Sequence, residues 1–227
     1  QGKDGAEEWK GVPNGLPVTE LSLPEYDNNH NSCIWGYMWG YDWNSAEKGD
    51  NISKPKTDAD FTPLGLMNYS EVCFLKAEAA LRGWQGAGDA KTNYENGIRA
   101  SFEEMRANAP KDSYSKSNDD KYISEGNVAW NNADSFEAKL EKIITQKWIG
   151  IYPNSEEAWA EFRRTGYPKL NPVKQSLEPT INPKNGEFIK KLRYVDNELS
   201  NNKEYATDPT LNGGQGDGLS VRVWWDT

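Results

Sequence analysis

Histidine occurs once and cysteine twice in the 227 residues, and both shortages narrow the chemistry. The single imidazole, His30, sits in the polar run NNHNS. The chain has no G-x-S-x-G nucleophile motif for it to serve. Cys33 and Cys73 are too few for a disulfide framework or a zinc site of their own. Cys73 falls within a helical pattern and reads as a small buried hydrophobe, while its pairing with Cys33 is left open by sequence. Basic runs are also missing, since Arg163-Arg164 and Lys190-Lys191 are only pairs and the net charge is -9. Nucleic-acid binding draws on lysine and arginine patches that release phosphate counterions, so no nucleic-acid partner is expected. No apolar run approaches the roughly 20 residues that span a bilayer. The opening QGKDGAEEWKG has neither the basic nor the apolar region of a signal peptide.

Aromatic residues, by contrast, are abundant: ten Trp, eleven Tyr and six Phe. They supply the bulky apolar mass that disordered chains lack, and the length suffices for a sizeable core. Residues 1–66 scatter Pro, Gly, Asn and Asp and read as an irregular, loop-rich segment packing on a scaffold. A loop region of that length points to a packing partner that precedes Gln1. Residues 67–227 read as one largely helical region. Asn68 with Glu71 makes a capping-box-like start. The following helix keeps its polar residues mainly at Glu71, Glu78 and Arg82, so most of its surface is expected to be covered. Gly83 is the expected stop. The second helix places Tyr94, Ile98, Ser101, Phe102 and Met105 on one face, with a charge ladder of Glu95, Arg99 and Glu103 on another.

Residues 108–133 read as a polar surface loop. Asp134 with Glu137 opens a third helix carrying Phe136, Leu140, Ile143, Ile144, Trp148 and Ile151. Asn154 with Glu157 caps a fourth, with Ala158, Trp159 and Phe162. Trp148 and Phe162 are expected to meet across the Pro153 turn. The end, SVRVWWDT, alternates like a terminal strand with Val221, Val223 and Trp225 on one face. The fold class is therefore mainly α: tetratricopeptide-like helical hairpins with long irregular loops and short terminal strands.

The sharpest feature for function is CIWGYMWGYDW. Trp35, Tyr37, Trp39, Tyr41 and Trp43 recur every second residue, and in an extended segment all five project from one face. Flat rings suit sugars, whose C–H faces pack on them while hydroxyls seek polar partners such as Asp42, Asn44 and Asn31. A half-buried strand sealing the scaffold fits the same spacing, because large aromatics are usually buried. Trp84 reads equally as a loop-borne stacking residue or as part of a packed turn.

Three stretches have a family resemblance. NYSEVCFLKAEAALRGWQGAGDAKTNYENGIRASFEEM resembles the SusD/RagB helix pair, in which Y-x-E-x-x-x-x-x-A-E-A-x-x-R-G leads over a Gly-rich turn into Y-x-x-G-I-R-A-S. IITQKWIGIYPNSEEAWAEFRRTGYP is similar to the Q-K-W-I…E-A-W-x-E-x-R-R-T-G-Y-P block of that family's lipoprotein branch. LRYVDNELSNN resembles its R-x-x-Y-P-x-x-E-x-x-x-N segment, with Val195 where the family commonly has Pro. The resemblance implies a surface-exposed lipoprotein of the cell outer membrane. Such a protein binds oligosaccharides or related nutrients and delivers them to a SusC-type TonB-dependent transporter. It also implies that the chain is the C-terminal portion of a longer protein, with the N-terminal half as a packing partner. A helical-repeat interaction scaffold without a small ligand is the alternative.

Other polar clusters have plainer explanations. Arg163 and Arg164 sit where arginines satisfy the last carbonyls of a helix, although an anion clamp uses the same residues. The acidic segments EKGDN and SNDDK lack EF-hand spacing, so no metal site is expected. The carboxylate pairs Glu103-Glu104 and Glu156-Glu157 point about 100° apart on a helix and cannot flank one glycosidic bond. No catalytic centre and no cofactor are expected.

Overall fold

The computed structural model describes residues 65–108, 116–173, 176 and 178–226. They fall into two units, divided after Lys169. In the first unit, α1 (Tyr69–Leu81) and α2 (Ala90–Asn108) form the expected hairpin. The short helix α3 (Asp119–Ser124) precedes α4 (Phe136–Gly150) and α5 (Ser155–Thr165). Helix α1 ends as its sequence dictates. Gly83 adopts φ +77, its N–H donates to Ala80 O at 3.0 Å, and Trp84 N–H donates to Ala79 O at 3.0 Å. This is the paired-bond ending that needs a residue without a Cβ at the left-handed position.

Helices α1, α2 and α4 pack together, with α1 antiparallel to both others. Ser70, at the start of α1, donates from its backbone N–H and its Oγ to Glu104 near the end of α2, at 3.0 and 2.6 Å. Arg82, at the far end of α1, lies 5.6 Å over the ring of Phe136 at the start of α4. The core holds Phe74, Ala77, Tyr94, Ile98, Leu140, Ile143, Ile144 and Tyr167. The apolar face expected on α2 is buried at Tyr94, Ile98 and Ser101, and Met105 at its end is exposed.

Phe74 explains two glycines. A Cβ on Gly97 would lie 2.7 Å from its ring, and one on Gly150 3.2 Å from it. The ring is thus gripped between α2 and α4 where neither helix carries a side chain. Gly97→Ala is expected to destabilise the fold by about 1–3 kcal/mol, the usual range for overpacking. A urea titration that left the midpoint unchanged would contradict this close approach.

The structure corrects several expectations. The Asn68 side chain makes no capping bond; Glu104 serves the α1 N-terminus instead, where a carboxylate also suits the helix dipole. The cap of α4 is Ser135, whose Oγ accepts from Ala138 N–H, while Asp134 pairs with Lys142 at 2.7 Å. Asn154 does cap α5, accepting from Glu157 N–H. The polar stripe of α1 faces inward, because Glu71 and Glu78 meet cations from α4 and α5. The stretch 108–133 is not all loop: α3 buries Ile123 in the core. Phe162 is buried as expected, whereas Trp148 is 36% exposed and is not a core residue.

In the second unit, residues 170–226, short helices α6 (Asp196–Asn201) and α7 (Lys203–Ala206) stand among irregular segments. Leu219 ties the unit together. Its carbonyl accepts from Lys190 N–H at 2.7 Å and its N–H donates to Thr180 Oγ1 at 3.1 Å. Lys190 pairs with Asp226, and Lys191 with Asp217. No strand forms among the described residues, which corrects the terminal-strand expectation. Val221 is buried and Trp224 is 95% exposed, so the alternation survives as burial without ladder pairing.

Candidate functional site

A cleft of roughly 470 Å³ opens between α2, α3 and the loop that follows α3. Lys91, Glu95 and Arg99 line one wall, because residues four apart share a helix face. Asp120, Lys121 and Ser124 of α3 form the opposite side, and Ile123 and Trp130 supply apolar surface.

Trp130 is fixed from behind. Its ring sits 5.3 Å from that of Tyr94, tilted by 45°. Its Nε1–H donates to Asn132 Oδ1 at 3.0 Å. Two more bonds pin the loop: Tyr94 Oη donates to Val128 O at 2.7 Å, and Lys142 Nζ donates to Ala129 O at 2.6 Å. Burial pushes the Tyr94 phenol well above its ordinary range, so it stays a donor to that carbonyl. The wall is therefore in place before any ligand arrives, and little ordering cost attaches to binding on it.

The charged rim is loosely paired. Arg99 donates to Asp120 Oδ1 at 3.1 Å, but Glu95 lies 3.7 Å from Arg99 and 3.8 Å from Lys91, beyond hydrogen-bonding distance. Glu95 thus keeps acceptor capacity facing the cleft. A rigid apolar ring flanked by exposed donors and acceptors is the equipment for holding a hydroxylated ring.

The residues expected from sequence fare differently. Trp35, Tyr37, Trp39, Tyr41 and Trp43 lie outside the described residues, as do His30 and Cys33. Trp84 follows α1 and is 67% exposed, so it is not part of a packed turn. It does not line the cleft. Cys73 is buried with a free thiol. Arg164 is engaged within the protein, forming a two-pronged pair with Glu78 at 2.8 and 2.7 Å. Arg163 lies 3.7 Å over Trp159. SNDDK folds into the start of α3, where Asp119 and Asp120 engage Arg106 and Arg99. The carboxylate pairs have separate duties, with Glu103 on Arg106, Glu104 on Ser70 and Glu157 on Lys147.

Sequence reading missed Trp130. Its signal was present as Val128-Ala129-Trp130, the apolar island of an otherwise polar stretch, which a loop assignment passed over.

A family model of SusD-like proteins, described as SusD and RagB outer membrane lipoproteins, matches residues 22–226. The chain belongs to the SusD-like family. Solved SusD-like structures are similar to it at the level of both sequence and fold. A chitin-binding SusD homologue from Flavobacterium johnsoniae is 37% identical with a TM-score of 0.58, over 71% of this chain and 36% of that one. A SusD homologue from Bacteroides vulgatus is 34% identical, TM-score 0.55, over 77% of this chain and 38% of that one. A SusD homologue from Bacteroides uniformis is 33% identical, TM-score 0.56, over 71% and 36%. The aligned part thus spans little more than a third of each of these SusD-like proteins. No curated protein matches the chain. The helical scaffold of α1 to α5 is of the tetratricopeptide-like kind found in SusD-like structures. Among the described residues no helix is long and apolar enough to cross a membrane.

Proposed function

We propose that this chain is the helical part of a cell-surface SusD-like lipoprotein that captures glycans and delivers them to a SusC-type TonB-dependent outer-membrane transporter. The observation that supports glycan capture on these helices is the pinned Trp130 wall facing Glu95 and the cationic side chains of the cleft. Capture is by equilibrium binding. A sugar's C–H face packs on the indole while its hydroxyls take up the acceptor of Glu95 and the donors of Lys91 and Lys121. Trp84, exposed on its turn, and the run Trp35, Tyr37, Trp39, Tyr41 and Trp43 are proposed as further ring surfaces for glycans. No bond is broken in this reading, so the ligand leaves unchanged.

Calorimetric titration of the full chain against a panel of oligosaccharides, including chitooligosaccharides, tests it. Trp130→Ala is expected to weaken the binding detected by about tenfold, equivalent to ~1.4 kcal/mol. Circular dichroism confirms that the variant is folded. Affinity unchanged in folded Trp130→Ala would remove the cleft from the binding surface.

A further inference from the structure

We infer that the Trp130 cleft selects sugar rings bearing an anionic group, a uronate carboxylate or a sulfate ester, in preference to neutral ones. This rests on the sugar-binding reading of the same cleft and deepens it. The chain as a whole carries a net charge of -9, yet the cleft gathers three cations, Lys91, Arg99 and Lys121, against two anions, Glu95 and Asp120. Asp120 is engaged by Arg99 at 3.1 Å, and Glu95 lies 3.7 Å from Arg99 and 3.8 Å from Lys91, so each of these two cations has a carboxylate beside it. Lys121 is left over: among the described residues its ammonium makes no ion pair, while its backbone carbonyl accepts from Ser124 Oγ at 3.2 Å.

A side chain with three donors and no acceptor, exposed at the mouth of a ring-sized cleft, can donate to sugar hydroxyls but finds its strongest complement in an oxyanion on the ligand. Trp130 supplies the other half of the recognition, since it requires the anion to be carried on a ring with an apolar face. A free inorganic anion lacks that face. The acidity of the remaining surface does not oppose this, because charges more than about 8 Å apart are largely screened at physiological ionic strength.

Three tetrasaccharides test the inference on the full chain by calorimetric titration: tetragalacturonate, a sulfated tetrasaccharide of the chondroitin type, and neutral chitotetraose. At least one anionic probe is expected to bind about three- to fivefold more tightly than the neutral one, the range an exposed ion pair supplies. The margin should narrow with added salt and collapse in Lys121→Gln. It should persist in Lys116→Gln, which removes the same charge outside the cleft, where Lys116 pairs with Glu103. Which anionic probe gains identifies the group. Equal or tighter binding of the neutral sugar, or a margin that survives Lys121→Gln, overturns the anionic preference while sugar binding stands. If no probe binds, the sugar-binding reading falls and this inference with it.

Discussion

Lys147→Met is expected to destabilise the first unit by about 3–5 kcal/mol at neutral pH, the range for removing one partner of a buried ion pair. Lys147 is 1% exposed, and its ammonium is surrounded by three carboxylates. Glu157 lies at 2.8 Å, Glu161 at 3.2 Å and Glu71 at 3.5 Å, so the single cation joins α1, α4 and α5. Arg164 continues the network from Glu161 at 2.7 Å to both oxygens of Glu78, which also accepts from Arg82 at 2.8 Å. Methionine replaces the alkyl stem and removes the charge, leaving buried Glu71 and Glu161 facing each other. Urea midpoints of the two proteins measure this, and an unchanged midpoint would mean that Lys147 contributes only the packing of its stem.

The wild-type profile follows from the same groups. Burial acts to raise the Glu78 carboxyl, but the hydrogen bonds and charges of Arg164 and Arg82 prevail and hold it below its ordinary value. Its stabilisation is present above the carboxyl's unfolded value and is lost as pH falls through the folded one. Lys147 mirrors it. Burial opposes the charge, yet Glu157 and Glu161 raise the ammonium above its ordinary value. That contribution is full below the unfolded value and disappears as pH rises through the folded one. In Lys147→Met the alkaline limb should flatten while the Glu78 acid limb remains.

Phe74→Ala should cost a similar amount, about 3–5 kcal/mol, for a different reason: an empty space at the meeting point of α1, α2 and α4. The ring is 1% exposed and makes an edge contact with Tyr94 at 6.4 Å. The diagnostic result is the double variant. Gly97→Ala is harmful only because its methyl meets the Phe74 ring, so in the Phe74→Ala background the same change should be neutral or stabilising. Additive losses would place the clash elsewhere.

These two sites also show what was legible in the sequence. The positions of α1, α2, α4 and α5 were, because apolar spacing and Gly83 act locally. The inward turn of Glu71 and Glu78 was not, since periodicity reports where polar residues lie on a helix and not which distant cation awaits them. Lys147 sits in the apolar helix α4, and its three carboxylate partners come from other helices. The capping pattern held at Asn154 and misled at Asn68, where Glu71 at the third helical position pairs with Lys147. Ile123 and Trp130 were hidden by the polar residues around them in the sequence, most of which are exposed. The aromatic run from Trp35 to Trp43 remains a proposal resting on its spacing.

The Lys147 network bears on how the helices find their places during folding. Apolar faces are permissive partners; slid by one turn, about 5.4 Å, they still bury area. The ionic faces are not. Glu157, Glu161 and Arg164 share one side of α5, and Glu71 and Glu78 lie seven apart on one side of α1. A one-turn slip would carry Lys147 away from its acceptors and leave charge stranded in a dry interior. A one-turn register error thus costs more in the ionic network than in the apolar faces, so the network favours a single register of the helices.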